Sequence, residues 1–385
     1  MLIRERSAAA GGGTATLPGT RTGRVAPASV GPGYEYGNTR LRAKKAALLT
    51  EADLDRLLGR DVDGVLSALD DGPYRQDVLA SRPRFAGLTA LHHALSANLA
   101  RTLRAVRGFY AGEAGELVEL LLRRFDAPNL VTLLRAQARR LPVDEALELV
   151  VPVGTFDPAA CREVAVQADL RAAVDLMVAW RLPSHDVALA VSGALAAYER
   201  TGDLAGLEDA AVRACASAID LRLQGIPEDA WPLERVLRTE ADRANVLLAL
   251  RLREARVEGQ PPAQDEPFVP GGTVRGPALG EGVAAETREK AVEALAASCL
   301  ADSWTEALES WAARGDLVAF QRELEAAATL DAIGLFHGGD PLSVAVPVAF
   351  VFAKENEVRN LRLVATGASE RIPPGLIRRE WVMPS

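Results

Sequence analysis

Asp126-Ala-Pro-Asn129-Leu130-Val-Thr-Leu-Leu-Arg135 has two echoes further along the chain. They are Asp242-Arg-Ala-Asn245-Val246-Leu-Leu-Ala-Leu-Arg251 and Glu357-Val-Arg-Asn360-Leu361-Arg-Leu-Val-Ala365. Each is an acid, two residues, an Asn and then an aliphatic run, and the Asn residues stand 116 and 115 positions apart. A single acid-x-x-Asn match occurs by chance. Three at nearly equal spacing, each opening an apolar helical stripe, indicate three related units. On a helix the acid and the Asn fall at i and i+3, on one face. The first reading of the pair is local: a cap or a side-chain contact that fixes the helix start, favoured at Asp126 by Pro128. The alternative is an Asn that bonds across to a neighbouring helix and sets how each bundle packs. Solenoid repeats run about 20–50 residues, so a period near 115 points to globular bundles.

Helical spacing dominates outward from these segments. Leu54, Leu57, Leu58, Val62, Val65, Leu66 and Leu69 make one stripe, and Leu88, Leu91, Leu95, Leu99, Thr102 and Val106 another. Thr50 with Asp53 reads as a capping box, and Ser184 as an N-cap with Asp186 in the first turn. Gly202-Asp203 and Gly315-Asp316 read as turns between helices, and the proline- and glycine-rich stretch 258–282 as a linker or long loop. The only strand candidate, 342–352, reads equally well as a buried helix. The fold class is therefore all-α. The expected organisation is a disordered tail over 1–33, then units over 34–145 and 146–257. A third unit over 258–385 opens on the Pro/Gly-rich loop.

Composition supports this and excludes several functions. Hydrophobic residues make up 49% of the chain but aromatics only 5%, and Ala and Leu, which helices tolerate best, supply most of the apolar content. The formal charge is -8, with residues 1–45 basic and the remaining body acidic, which disfavours a nucleic-acid partner. Cys161, Cys215 and Cys299 are odd in number and far apart, unlike a disulfide framework or a Cys-based zinc site. The longest apolar stretch is about twelve residues where a membrane helix needs about twenty.

Sites with chemistry are not found. Gly271-Gly272 and Gly276 lack the Lys-Ser/Thr of a phosphate loop. His92 and His93 are adjacent, so they point apart on a helix and form no HExxH pair. Ser184-His185-Asp186 holds triad residue types, but consecutive residues cannot make triad geometry. Neither a metal nor a cofactor is expected. An enzyme is the last of three readings, behind a soluble helical adaptor.

The segment Tyr34-Glu-Tyr36-Gly-Asn38-Thr-Arg40-Leu-Arg42-Ala-Lys44-Lys45 stands apart. Its cations either snorkel from an amphipathic first helix or form a surface for an anionic partner. Here the chain resembles the C subunit of the V/A-type ATPase/ATP synthase, the relative of the eukaryotic V-ATPase d subunit. That family opens on Tyr-x-Tyr-x-Asn-x-Arg-x-Arg-x-Arg, matched by Tyr34, Tyr36, Asn38, Arg40 and Arg42, with Lys44 in place of the last Arg. Further matches are the segment from Asp126 to Arg135, the turn Phe268-Val-Pro270-Gly271-Gly272, and the helix Lys354-Glu355-Asn-Glu357-Val-Arg359-Asn360-Leu-Arg362. Departures are the additional residues 1–33 and Arg213-Ala-Cys215-Ala, where bulkier aromatics are expected.

The resemblance implies three similar helical domains around a pseudo-threefold axis, forming a funnel. It implies a non-catalytic rotor protein, one copy per complex, peripheral on the cytoplasmic face of the membrane. Its partners would be the D and F subunits of the central stalk, the proteolipid ring and the membrane stator. The signature residues carried over are Tyr34, Tyr36, Asn38, Arg40, Arg42, Asp126, Asn129, Asp242, Asn245, Glu355, Glu357, Arg359 and Asn360. Of these, Glu357, Arg359 and Asn360 are expected to hold the C-terminal helix in its bundle.

Overall fold

The computed structural model describes residues 33–259, 268–298 and 302–384. The chain divides into Met1–Gly31 and Pro32–Ser385, and the architecture below is that of the second unit. The tail reading for residues 1–33 lies, but for Gly33, outside the described residues.

Among the described residues the structure is helical and without strands. Helix α1 (Tyr34–Lys45) leads into four helices, α2 (Glu51–Asp55), α3 (Val62–Leu69), α4 (Arg75–Ser81) and α5 (Gly87–Arg107). A long helical stretch follows: α6 (Gly112–Leu122), a 3-10 turn Arg123–Phe125 and α7 (Asp126–Arg139). After α8 (Val143–Leu149) come α9 (Pro158–Ala165), α10 (Leu170–Trp180), α11 (His185–Thr201) and α12 (Leu204–Leu223). The next long helix is α13 (Trp231–Val257), followed by α14 (Gly276–Ala284), α15 (Arg288–Ala296), α16 (Asp302–Arg314) and α17 (Leu317–Gly338). The last long helix is α18 (Ala345–Glu370), and α19 (Pro374–Arg379) closes the chain. Helices α5, α12 and α17 end at 107, 223 and 338, so the element order repeats at the spacing of the Asn residues.

Local chemistry explains the helix starts. The Thr50 hydroxyl accepts from Asp53 N while the Asp53 carboxylate accepts from Thr50 N, which completes the capping box. Ser184 caps α11 as expected, and Asp316, read from sequence only as part of a turn, caps α17. Two expectations need correction. The stripe from Leu54 to Leu69 is two helices, because the Asp61 carboxylate accepts from Gly64 N and starts a new helix at Val62. The stretch 258–282 is not loop throughout, since α14 begins at Gly276 with Pro277 in its first turn, where no intrahelical donor is needed. The ambiguous run 342–352 is helical from Ala345 onward, after a turn over 342–344. Ala345–Phe352 is buried on every side, as a central helix must be.

Three buried apolar clusters organise these helices. One joins Leu130–Leu134 of α7 to α9–α12, and another joins Val246–Leu250 of α13 to α14–α17. The largest takes α1–α6 together with α18, Ile377 and Trp381, so both ends of the described chain share it.

Candidate functional site: repeated backbone clamps and an ionic junction

The acid-x-x-Asn pairs are neither caps nor helix-to-helix contacts. Each Asn grips an extended backbone segment downstream. Asn129 Nδ2 donates to Val151 O (2.6 Å) and its Oδ1 accepts from Val151 N (2.9 Å). Asn245 treats Val269 identically, at 2.8 Å in both directions. Asn360 donates to Val382 O (3.1 Å) and accepts from Val382 N (3.3 Å). All three side chains are buried, so the amide replaces what a neighbouring strand would supply to that backbone. Each bond contributes about 1 kcal/mol net, and orphaning a buried partner costs about 1–3 kcal/mol.

The acid of each pair holds the start of a helix. Phe156 N donates to Asp126 Oδ1 (3.3 Å) and Val274 N to Asp242 Oδ1 (2.8 Å). Leu49 N donates to Glu357 Oε2 (2.6 Å). Leu49, Phe156 and Val274 each stand immediately before the N-cap, of α2, α9 and α14 respectively. Helix α18 therefore does for α2, near the other end of the chain, what α7 does for α9 and α13 for α14. The longer Glu357 also accepts from Tyr74 Oη and from the buried Lys354 Nζ, both at 2.5 Å.

Two of the three clamped segments share a motif that sequence reading did not recognise. Val151-Pro-Val-Gly154-Thr-Phe156 parallels Val269-Pro-Gly-Gly272-Thr-Val274. A Cβ at Gly154 would lie 2.6 Å from Asp126 Oδ1, and one at Gly272 2.3 Å from Asp242 Oδ1, so both positions exclude a side chain. Gly154 also has φ +82, where side chains are strained. The shared Val-Pro-x-Gly-Thr was the available signal.

The position two before each acid makes the ionic junction. Arg124, Glu240 and Glu355 sit at the same 116 and 115 spacing, and they meet. Arg124 Nε donates to Glu240 Oε1 (2.9 Å), and its Nη1 and Nη2 pair with Glu355 and Glu240. Burial works against the Arg124 charge, but the two carboxylates outweigh it and hold the guanidinium above its ordinary value. Burial raises the Glu355 carboxyl, with Arg124 opposing. Burial likewise pushes Asp126 up to about 6, against the N–H bonds it accepts from Thr155 and Phe156. Arg359 stands apart: its Nε and Nη2 are buried without a protein partner.

The α1 signature divides between core and surface. The Tyr34 ring packs tilted against that of Tyr110, at 60° with centroids 6.0 Å apart. Asn38 is buried, donates to Pro341 O and Ser343 O, and accepts from Tyr110 Oη. Tyr36 and Arg42 are exposed. Arg40 donates to Tyr36 Oη (2.8 Å) and lies over the Phe109 ring, and Lys45 lies over Phe336. The cations thus flank the buried stripe with aromatic support.

Among the described residues no group of His, Cys, Asp and Glu is placed to hold a metal ion, and no helix is long and apolar enough to cross a membrane. Cys161 and Cys215 are buried free thiols, and burial pushes both up to about 12, far from a reactive thiolate. Cys299 lies outside the described residues. What remains is an all-α scaffold assembled from recurring helical elements and locked by recurring backbone clamps.

The chain belongs to the ATP synthase (C/AC39) subunit family, whose model matches residues 37–380. It is 27% identical to the C subunit of the A-type ATP synthase of Haloferax volcanii, over 92% of this chain and 98% of that one. It is 29% identical to the C subunit of the V-type ATP synthase of Deinococcus radiodurans, over 90% of each. Identity to the A-type C subunit of Halobacterium salinarum is 28%, over 91% and 97%.

Proposed function

We propose that this chain is the non-catalytic rotor subunit that joins the central stalk of a V/A-type ATPase to its membrane proteolipid ring. It passes torque between ATP turnover and ion translocation. The D and F subunits of the stalk would occupy a central cavity. The ring would lie beneath, on the cytoplasmic face, with the membrane stator as a further contact. The observation that carries this reading is the clamp set. A torque coupler needs stiffness, which packed helices supply, and each clamp ties an extended connection to a long helix by paired backbone bonds. The α18 clamp draws both ends of the described chain into one core.

The unit division at 145 and 257 is proposed in amended form, following apolar packing. Helix α7 is placed with α9–α12, α13 with α14–α17, and α18 with α1–α6. The meeting of Arg124, Glu240 and Glu355, one from each recurrence, favours a pseudo-threefold arrangement.

Deletion of the gene tests the coupling role. ATP hydrolysis by the soluble head should persist while ATP-driven ion pumping into membrane vesicles is lost. Pumping that survives the deletion overturns the proposal.

A further inference from the structure

Helix α1 carries four cations, Arg40, Arg42, Lys44 and Lys45, against one acid, Glu35 in its first turn. Among the described residues none of the four makes an ion pair, although residues 46–385 are acidic overall. Aromatic rings support three of them instead. The Arg40 guanidinium lies 4.6 Å from the Phe109 centroid and donates to Tyr36 Oη, and Lys44 Nζ lies 5.9 Å from the same ring. Lys45 Nζ lies 4.3 Å from the Phe336 centroid. A ring face holds a cation in place without neutralising it. These charges are therefore ordered and still available to a partner.

The exposed strip of the helix runs between them. At 3.6 residues per turn, Arg40 and Lys44 border one side and Arg42 the other, with Tyr36, Thr39 and Ala43 exposed in between. Tyr36 is 52% exposed. Beside the helix Leu342 is 55% exposed, and its neighbours Pro341 and Ser343 are held by Asn38. Cations bordering small residues, with a Tyr and a Leu at hand, make up a helix that lies on a charged membrane surface: the cations meet headgroup phosphates, and Tyr sits at headgroup depth. Small residues at the centre give a flat face, which suits a layer of headgroups better than the pockets that anchor a protein hot spot.

We propose that this face of α1 docks on the anionic lipid headgroups of the membrane. The proposal rests on the peripheral-membrane reading above and deepens it by naming the surface that meets lipid. The attraction is between charges, so it weakens as salt shortens their reach.

The test sediments the purified full-length chain with phosphatidylcholine vesicles, with or without about 30% phosphatidylglycerol, at low salt and at about 0.5 M salt. Binding is expected only with the anionic vesicles, and it is lost in high salt. Arg42→Gln and Lys44→Gln should each weaken it about fivefold, and the pair about twentyfold, with Tm unchanged. Arg42→Lys and Lys44→Arg should retain it, because a headgroup surface reads charge rather than one side-chain shape. Neutralising Arg4, Arg6, Arg21 and Arg24 together controls for the other cations at the start of the chain. Binding that falls only in that control, or that ignores lipid charge, overturns the proposal. Variants of α1 that bind vesicles like wild type but are lost from the solubilised membrane complex also overturn it, and assign the face to an acidic protein. Vesicle binding through α1 by a chain that enters no ATPase complex removes the coupling role and leaves this site standing. A chain that enters the complex but binds no anionic vesicle does the reverse.

Discussion

Asp126 shows how much one buried carboxylate couples to the fold. It accepts from Thr155 N and Phe156 N, and burial raises it to about 6 from an ordinary 3.8. A folded value above the unfolded one means the folded state binds the proton more tightly. The stabilisation this group supplies is fully present below about pH 4 and is lost as pH rises through about 6. Asp126→Asn keeps an acceptor oxygen for the two N–H groups and removes the titration. The difference in urea-unfolding free energy between wild type and variant should therefore change between those limits and be flat outside them. The variant should be the more stable protein near neutral pH, by about 1–3 kcal/mol. At Glu357 the same role falls to a longer side chain with a buried cation beside it. Removing Lys354 alone would leave a carboxylate without its charge partner, a loss of about 3–5 kcal/mol.

Helix ends carry a second lesson. Helices α7, α10 and α18 close on Arg140, Arg181 and Arg371, all with φ between 53 and 56, a region that L side chains enter at a cost. The last-turn carbonyls are satisfied all the same: Arg181 N donates to Val178 O and Leu182 N to Met177 O. Arg181 is exposed, so replacing it removes no packing. Arg181→Gly should raise stability by about 0.5–1 kcal/mol, visible as an upward shift in Tm. An unchanged or lowered Tm would show that the Arg side chain contributes more at the helix C-terminus than its backbone strain costs.

At the scale of the molecule, the first core depends on residues from both ends of the described chain. Trp381 and Val382 are buried, and Val382 O accepts from Asn356 Nδ2 (2.7 Å) as well as from Asn360 Nδ2. Deleting residues 381–385 removes an aromatic anchor and strips both amides of their partner, a cost of about 3–5 kcal/mol. Hydrogen exchange should quicken first in α2–α5 and α18, whose core is breached. Helices α9–α11, in a core of their own, should keep their protection. Uniform acceleration across all helices would mean that the cores unfold as one cooperative unit.

Much of this was legible in the residues alone. Leu and Ala at helical spacing, Thr50 with Asp53, and Ser184 set the helices, because capping and apolar periodicity are local. The recurrence of Asn129, Asn245 and Asn360 pointed to three related units, because a repeated fold demands the same side chain at the same place. What those Asn residues bind was not legible. Their partners lie 22 or 24 positions downstream, and the bonds go to backbone atoms, so the only signal was the Val-Pro-x-Gly-Thr that two of the gripped segments share. Nor could the spacing of Arg124, Glu240 and Glu355 reveal that they meet, or that Glu357 reaches Leu49 across 308 positions. The helices and their repetition follow from neighbours along the chain, so the residues alone dictate them. Which buried polar groups satisfy one another depends on the distant segments that hydrophobic packing brings within bonding distance, and that pairing exists only in the folded molecule.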